Sequence, residues 1–166
     1  MAFKYRDYVA HAITFFAEGK DGRNTWEDWR IVPTSRPVID PPTPQYDFVS
    51  IPGTSAEADL TEVLTGKVEY NPREGSIEFA VINKALWTDV YKEITNYLAG
   101  KRVRFVLADE PDYFYQGRAA VSEWASNENY SVITINYHVM PYKYPKTETL
   151  EKWQYDPEEI LTGGVL

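Results

Sequence analysis

The sequence predicts an α+β fold that is mainly β, an antiparallel β-sandwich or split barrel with one packed amphipathic helix. Period-2 alternation of apolar and polar residues dominates the chain, and this pattern is typical of strands that are buried on one face. A single segment, "ALWTDVYKEITNYLAG" at residues 85–100, has a helical period instead. Because a lone amphipathic helix among antiparallel strands must lay its apolar stripe on a sheet, the two patterns together predict this fold class.

The helical segment has well-marked ends. Asn83 is placed to cap its start, and Gly100 stands where a C′ glycine ends a helix. Apolar residues recur at every fourth position, which puts them on one face. They are Leu86, Val90, Ile94 and Leu98. We expect this whole stripe to be buried against the sheet.

The first half of the chain is predicted to contain two strand pairs. Residues 13–16 alternate, and the turn "GKDGRN" follows, from which residues 26–32 are expected to return as a strand. Residues 68–70 and 77–81 are predicted to pair as a hairpin around "NPREG".

The second half is predicted to continue with antiparallel strands. Residues 103–107 alternate with arginines on the opposite face, and the turn "DEPD" at residues 109–112 leads into a strand at 113–124. A polar loop at residues 125–129 precedes another alternating strand at 133–139.

The composition is that of one folded domain. The 166 residues are 43% hydrophobic and 15% aromatic, which is enough for a substantial core. The absence of cysteine excludes disulfides and cysteine chemistry and fits a reducing cytoplasm. The formal charge of −8 argues against binding phosphates, which relies on clustered Lys and Arg. No apolar run approaches the roughly 20 residues of a membrane span, so no membrane partner is expected.

The sequence gives little support for a catalytic or metal-binding site. His11 and His138 lack zinc-ligand spacing, so no metal is predicted. The acids at residues 27–28 are expected on a strand between tryptophans, and those at 109–112 in a turn where aspartate caps its own backbone. No phosphate-binding glycine loop, dinucleotide fingerprint or nucleophile elbow occurs, so neither a cofactor nor an enzymatic activity is predicted.

Aromatic residues support a second class of function, a carbohydrate-binding β-sandwich module. Exposed tryptophan and tyrosine rings can stack on sugars. The candidates are Trp26, Trp29, Tyr113 and Tyr115. Packing in a core or an interface is the competing explanation for the same residues.

The segment "SRPVIDPPTPQYDFVSIPG" at residues 35–53 is unlike the rest of the chain. Proline fixes φ and cannot donate to a ladder, so the proline-rich half is excluded from a central strand or a helix interior. An apolar stretch follows it directly. Two interpretations stay open: a fixed loop that covers its own sheet, or an arm that docks on a neighbouring molecule.

The order of several short motifs resembles one family. The "ITFFAEGKDGRN" strand and turn come first, then "IPG" with "DLTE", then "YNPREGSIEFAVI", then the helix ending in "GKR" before "DEPDYFYQG", and finally "PYK". Taken in this order, over roughly residues 13–144, they resemble the N-terminal domain of the distal tail (Dit) proteins of siphophages and related prophages.

The resemblance implies a structural role in a phage virion, assembled in the cytoplasm of the host bacterium. Residues 1–146 would be the ring-forming domain, and residues 147–166 a tail or linker toward a second, absent domain. The ring would be a hexamer between the tail tube protein and the tail-tip or baseplate hub. DNA would pass through its bore without specific binding, because acidic walls repel phosphate.

The resemblance also gives the proline-rich segment a hypothetical role at the subunit interface. Stiff, polyproline-like backbone loses less entropy on docking than a flexible loop. A ring needs two different patches that meet head-to-tail, and strand edges are the expected second patch. The residues assigned to the first patch are Pro37, Pro41, Pro42, Pro44, Tyr46, Phe48 and Ile51.

Overall fold

The computed structural model describes residues 5–126 and 131–146 and confirms an α+β, mainly β fold. One α-helix, α1, spans Trp87–Leu98, and short 3-10 turns lie at Tyr5–Asp7, Val9–His11 and Lys84–Leu86. The ten strands are β1 (Ile13–Ala17), β2 (Arg23–Asn24), β3 (Ile31–Pro33), β4 (Phe48–Ser50), β5 (Glu57–Asp59), β6 (Arg73–Val81), β7 (Arg102–Leu107), β8 (Tyr113–Ser126), β9 (Ser131–Val139) and β10 (Tyr144–Pro145).

Eight of the strands form one antiparallel sheet. Its order is β2-β1-β7-β8-β9-β6-β3, with β10 added beside β8, while β4 and β5 form a separate pair. Thr25 connects the two edges of the sheet, because its amide donates to the carbonyl of Ile13 and its carbonyl accepts from the amide of Ile31, both at 2.9 Å. The sheet therefore curls until its edges meet, which is the split-barrel form of the predicted fold class.

The main core lies inside the curl, between the sheet and α1. It draws apolar side chains from β1, β3, β6, β7, β8, β9 and the helix. Phe15 is its centre, with ring centroids 6.1 Å from Trp29 and 5.6 Å from Phe105. A smaller cluster of Val106, Phe114 and Tyr144 lies on the other, outer face of the sheet, so that both faces of β7 are buried.

Helix α1 packs on the sheet as predicted, but its apolar stripe is not buried throughout, since Val90 is only half-buried. Ile94 and Leu98 are fully buried, whereas Leu86 is 50% exposed. Leu86 lies in the 3-10 turn that precedes the helix, and the three-residue period of that turn rotates it off the apolar face. The expectation that Leu86 is buried is therefore wrong.

Both predicted caps of the helical segment are confirmed. The Asn83 side chain accepts a hydrogen bond from the amide of Ala85 at 3.2 Å. At the other end Ala99 and Gly100 have positive φ values of 39° and 69°, and the amide of Ala99 donates to Thr95. The left-handed backbone at these two residues ends the helix and directs the chain into β7.

The predicted return strand at residues 26–32 is wrong in its first half. Residues 25–30 form a turn, because the side chain of Asn24 accepts from the amides of Trp26 and Glu27 while Asp28 accepts from the amide of Asn24. These are local polar contacts that compete with strand pairing. The pairing partner of β1 is the two-residue β2, and β3 pairs with β6 instead.

The predicted hairpin of residues 68–70 with 77–81 is also wrong. Strand β6 begins at Arg73, inside "NPREG", and pairs along its whole length with β9. Tyr70 forms an isolated bridge with Pro44. The Arg73 guanidinium is buried and donates to the carbonyl of Pro141 at 2.7 Å, which holds this end of β6 in the sheet.

The remaining predicted loops are partly confirmed. The turn at residues 109–112 joins β7 to β8. Ala125 and Ser126 belong to β8 and not to a loop, because they pair with Val132 and Ser131. The rest of that predicted loop, residues 127–129, and the predicted tail at 147–166 lie outside the described residues.

Replacing Tyr97 with phenylalanine is expected to lower the free energy of unfolding by about 1–3 kcal/mol, because a buried amide loses its acceptor. The Tyr97 hydroxyl accepts from the amide of Ala17 at 3.1 Å and lies 2.9 Å from the carbonyl of Phe15. Urea denaturation measures the loss. Tyr91→Phe is the matched control, since the Tyr91 ring stacks on Trp124 and should keep that contact.

Candidate functional site: an exposed arm

Residues 40–72 form a protrusion between β3 and β6, which we call the arm. None of its residues is buried. Seven of the ten large hydrophobic side chains exposed in the described residues belong to it, so the arm is where apolar surface is concentrated. They are Tyr46, Phe48, Val49, Ile51, Leu60, Val63 and Leu64. A concentration of exposed apolar side chains is typical of interaction sites, which makes the arm the candidate site.

The base of the arm is fixed to the domain. Pro37 is buried, and Ile39 is part of the main core. Arg73 also donates to the carbonyl of Asp40 at 3.3 Å, which holds the first arm residue. Burial lowers the pKa of Arg73, and the neighbouring Tyr115 opposes that shift. The loop-covering interpretation thus describes only residues 37–39.

The arm is hydrogen-bonded within itself and does not lie on the sheet. Its outgoing and returning chains run side by side, with the amide of Gln45 donating to Glu69 at 2.8 Å and the amide of Asn71 to Thr43 at 2.9 Å. Further out, β4 pairs with β5, and the amide of Leu60 donates to Asp47 at 2.7 Å. These bonds give the protrusion a defined shape without support from the core.

Register divides the β4–β5 pair into two faces. Residues directly opposite in an antiparallel pair point to the same side, so Phe48 and Asp59 share a face, as do Ser50 and Glu57. Tyr46 lies on that face too, since its ring centroid is 6.1 Å from that of Phe48. One face of the arm therefore combines two aromatic rings with two carboxylates.

The arm contains most of the residues assigned to an interface from the sequence. Tyr46, Phe48 and Ile51 are exposed, Pro41 is exposed, and Pro42 and Pro44 are half-buried. Pro37 belongs to the buried base and offers no free surface. Sequence reasoning missed Val63 and Leu64, which are 67% and 92% exposed. They follow "DLTE" in a turn where no alternation draws attention to them.

The four aromatic candidates for sugar stacking do not form a platform. Trp29 and Tyr115 are buried in the core, and burial raises the pKa of Tyr115. Trp26 and Tyr113 are half-buried, and each has a cation over its ring, Arg30 at 5.0 Å and Lys143 at 4.9 Å. Rings that are buried or already covered leave little face for a sugar.

The acidic and histidine candidates act as structural contacts. Asp109 accepts from His11 at 2.8 Å and from Arg36 at 2.9 Å, so it does not cap its own backbone as predicted. His11 lies in a 3-10 turn and not in a strand, whereas His138 is on β9 with Nδ1 2.7 Å from Glu74. Among residues 5–126 and 131–146, no three potential ligands cluster to hold a metal ion.

Replacing Asp109 with asparagine is expected to destabilise the fold by about 1–2 kcal/mol at pH 7, because charge-assisted bonds to His11 and Arg36 are lost. Burial raises the pKa of Asp109, but these bonds outweigh it and hold the pKa below its usual value. The stabilisation is therefore present above the ordinary aspartate pKa and is lost as the pH falls through the lowered one. Urea denaturation at pH 7 and pH 3 should show the difference between wild type and variant shrinking, with Asp112→Asn as control.

The comparisons with known proteins give a likeness in fold. No protein-family model matches the chain, and no curated protein matches its sequence. A solved structure does match: the Dit protein of phage SPP1, described as a paradigm of hub adsorption apparatus in Gram-positive infecting phages. The chain shares its fold with a phage hub protein.

The match has a TM-score of 0.54 at 18% sequence identity and covers 80% of this chain. It covers 52% of the SPP1 protein, so the chain spans about half the length of that structure. At this identity the likeness concerns the fold alone. In the described part of the chain, no helix is long and apolar enough to cross a membrane.

Proposed function

We propose that this chain is a distal-tail protein, a structural component of a phage or prophage tail and not an enzyme. The fold it shares with the SPP1 Dit protein over 80% of its length is the observation that carries the proposal. In this role the chain forms a hexameric ring in the virion that joins the tail tube protein to the tail-tip or baseplate hub. DNA passes through the bore without specific binding, and assembly takes place in the cytoplasm of the host.

The arm supplies one side of each subunit contact in this ring. A closed ring repeats one heterologous contact, so every copy needs a projecting patch and a different receiving patch. The arm projects, exposes apolar side chains and is anchored at its base through Ile39 and Asp40. Proline at residues 41, 42 and 44 restricts the backbone before docking, which reduces the entropy lost on binding.

The net charge of −8 supports the same role. A bore through which DNA slides must not bind phosphate, and acidic surface repels it. Ring closure must then overcome repulsion between copies of like net charge. Assembly should be stronger at high ionic strength if it rests on apolar contacts alone, and weaker if opposite charges meet at the interface.

Sedimentation velocity and native mass spectrometry over a concentration series test the proposal. We expect monomers when the protein is dilute and a closed hexamer at high concentration or in the presence of the tail tube protein of the same phage. A chain that stays monomeric at millimolar concentration and does not bind the tube protein would contradict it.

A further inference from the structure

The outer face of the sheet carries a row of basic side chains, which we call the basic row. Arg102 on β7 lies directly opposite Arg118 on β8, and Arg118 lies directly opposite His138 on β9. All three residues are exposed. Like charges directly opposite each other in a sheet are destabilising. Glu74 on β6 lies opposite His138 and is bonded to it, so the like charges that face each other are those of Arg102 and Arg118, and a partner with negative charge would be attracted to this pair.

A shallow depression of about 380 Å³ lies beside the basic row. It is lined by Arg102, Gln116, Gly117, Arg118, His138 and Met140. Met140 and the aliphatic stems of the two arginines supply its apolar lining, which we call the floor, and the basic groups supply its polar lining, which we call the rim. Its shape depends on Gly117, where a Cβ would lie 2.1 Å from the backbone oxygen of His138 and push β8 away from β9.

The arm has the complementary composition. Between residues 40 and 70 six carboxylates stand against one lysine, Lys67. On one face of the β4–β5 pair, Phe48 lies directly opposite Asp59, and Glu57 lies two residue pairs along, opposite Ser50. An apolar ring flanked by carboxylates matches an apolar depression with a cationic rim.

We propose that this depression and the basic row are the receiving patch for the arm of a neighbouring copy of the chain. Phe48 enters the depression, and Glu57 and Asp59 pair with Arg102 and Arg118 of that copy. The inference rests on the proposed function and specifies its subunit contact. The sequence led us to expect a strand edge as the receiving patch. The proposed contact is made on an open sheet face instead.

A second copy fits this surface better than nucleic acid does. The basic row is small, and the chain as a whole carries a charge of −8, which opposes a long polyanion. The arm brings only a few carboxylates together with an aromatic anchor. The carboxylates match the cationic rim of the depression, and the aromatic ring matches its apolar floor. Opposed charges of this kind also fix which surfaces meet and in what orientation.

A charge exchange between two variants tests the contact. The row variant carries Arg102→Glu and Arg118→Glu, and the arm variant carries Glu57→Arg and Asp59→Arg. Each reverses one side of the contact and should raise the concentration for half-maximal ring formation at least about 10-fold. An equimolar mixture should assemble at nearly the wild-type concentration, since every contact in an alternating ring then joins opposite charges.

Matched controls separate the contact from folding. Lys92→Glu with Lys146→Glu makes the same change in net charge as the row variant, at two exposed sites outside the basic row, and should assemble like wild type. Arg118 donates to the carbonyl of Gly100 and Asp59 accepts from Thr61, so circular dichroism of each variant is needed. Rescue in the mixture would itself show that both variants are folded.

Four results would overturn the inference. A row variant that forms rings at the wild-type concentration would remove the basic row from the contact while leaving the proposed function standing. Two defective variants whose mixture stays dissociated would show that the two charge sets do not meet. A row variant that loses binding to a DNA duplex with assembly unchanged would assign the row to nucleic acid. A wild-type chain that never assembles would contradict the proposed function as well.

Discussion

Replacing Ile94 with alanine is expected to lower the free energy of unfolding by about 2–5 kcal/mol, the range for removing a fully buried aliphatic side chain from a core. Ile94 is 0% exposed and lies where α1 packs on the sheet. Chemical denaturation followed by circular dichroism measures the loss.

Leu86→Ala is the matched control for the helix. Leu86 continues the same four-residue spacing but is 50% exposed, so the loss should stay under about 0.5 kcal/mol, as for most surface substitutions. Equal losses at residues 86 and 94 would mean that α1 packs with a different face. A negligible loss at residue 94 would contradict the packing of the helix on the sheet.

Replacing Phe48 with aspartate is expected to abolish ring formation without lowering the stability of the monomer. Phe48 is 54% exposed on the arm and contacts Tyr46, but it contributes nothing to the main core. In the proposed ring it is an apolar anchor on the floor of the depression, and the two arginines at the rim are already paired with Glu57 and Asp59, so a charge at position 48 would be buried without a partner of its own. Sedimentation velocity gives the assembly state, and thermal unfolding of the dilute protein gives the stability.

Two control variants separate the effect of charge from the effect of position. Phe48→Leu keeps an apolar side chain and should retain ring formation at a somewhat higher concentration. Leu86→Asp places the same charge on an exposed apolar residue far from the arm and should assemble normally. If Phe48→Asp still forms rings, the arm is not the projecting patch of the subunit contact.

Hydrophobic periodicity and residues typical of helix ends predicted the parts of the fold that depend on neighbouring residues in the sequence. Alternation located β1, β7, β8 and β9, and the period of residues 86–98 located α1, with Asn83 capping the 3-10 turn before it and Gly100 following its end. Burial of one face produces such periods wherever an element lies on a core. The sequence therefore indicated which elements exist better than it indicated which of them pair.

The predictions of strand pairing were wrong where pairing depends on contacts distant in the sequence or on polar side chains. The partner of β6 is β9, whose paired residues are 50 or more positions further along the chain, and nothing in "NPREG" specifies it. The turn at residues 25–30 did have a local signal, since Asn24 and Asp28 are residues that bond their own backbone. Alternating apolar residues through Trp26 and Val32 obscured that signal.

The site was predictable in part for a similar reason. Prolines excluded residues 37–44 from a central strand, and the apolar residues after them left two interpretations open, a covering loop or a docking arm. The two faces of the arm depend on the register of β4 with β5, and the basic row depends on the register of β7, β8 and β9. Register brings Phe48 beside Asp59 and Arg102 beside Arg118, and neither pair is adjacent in the sequence.

Antibody labelling of virions tests the central claim, that this chain is a tail component, most directly. Gold-labelled antibody raised against the chain would be applied to particles of the phage that encodes it and viewed by electron microscopy. Our account predicts label at one position on each particle, the junction between the tail tube and the tail tip. Virions without label there, before and after partial disruption of the tip, would contradict it.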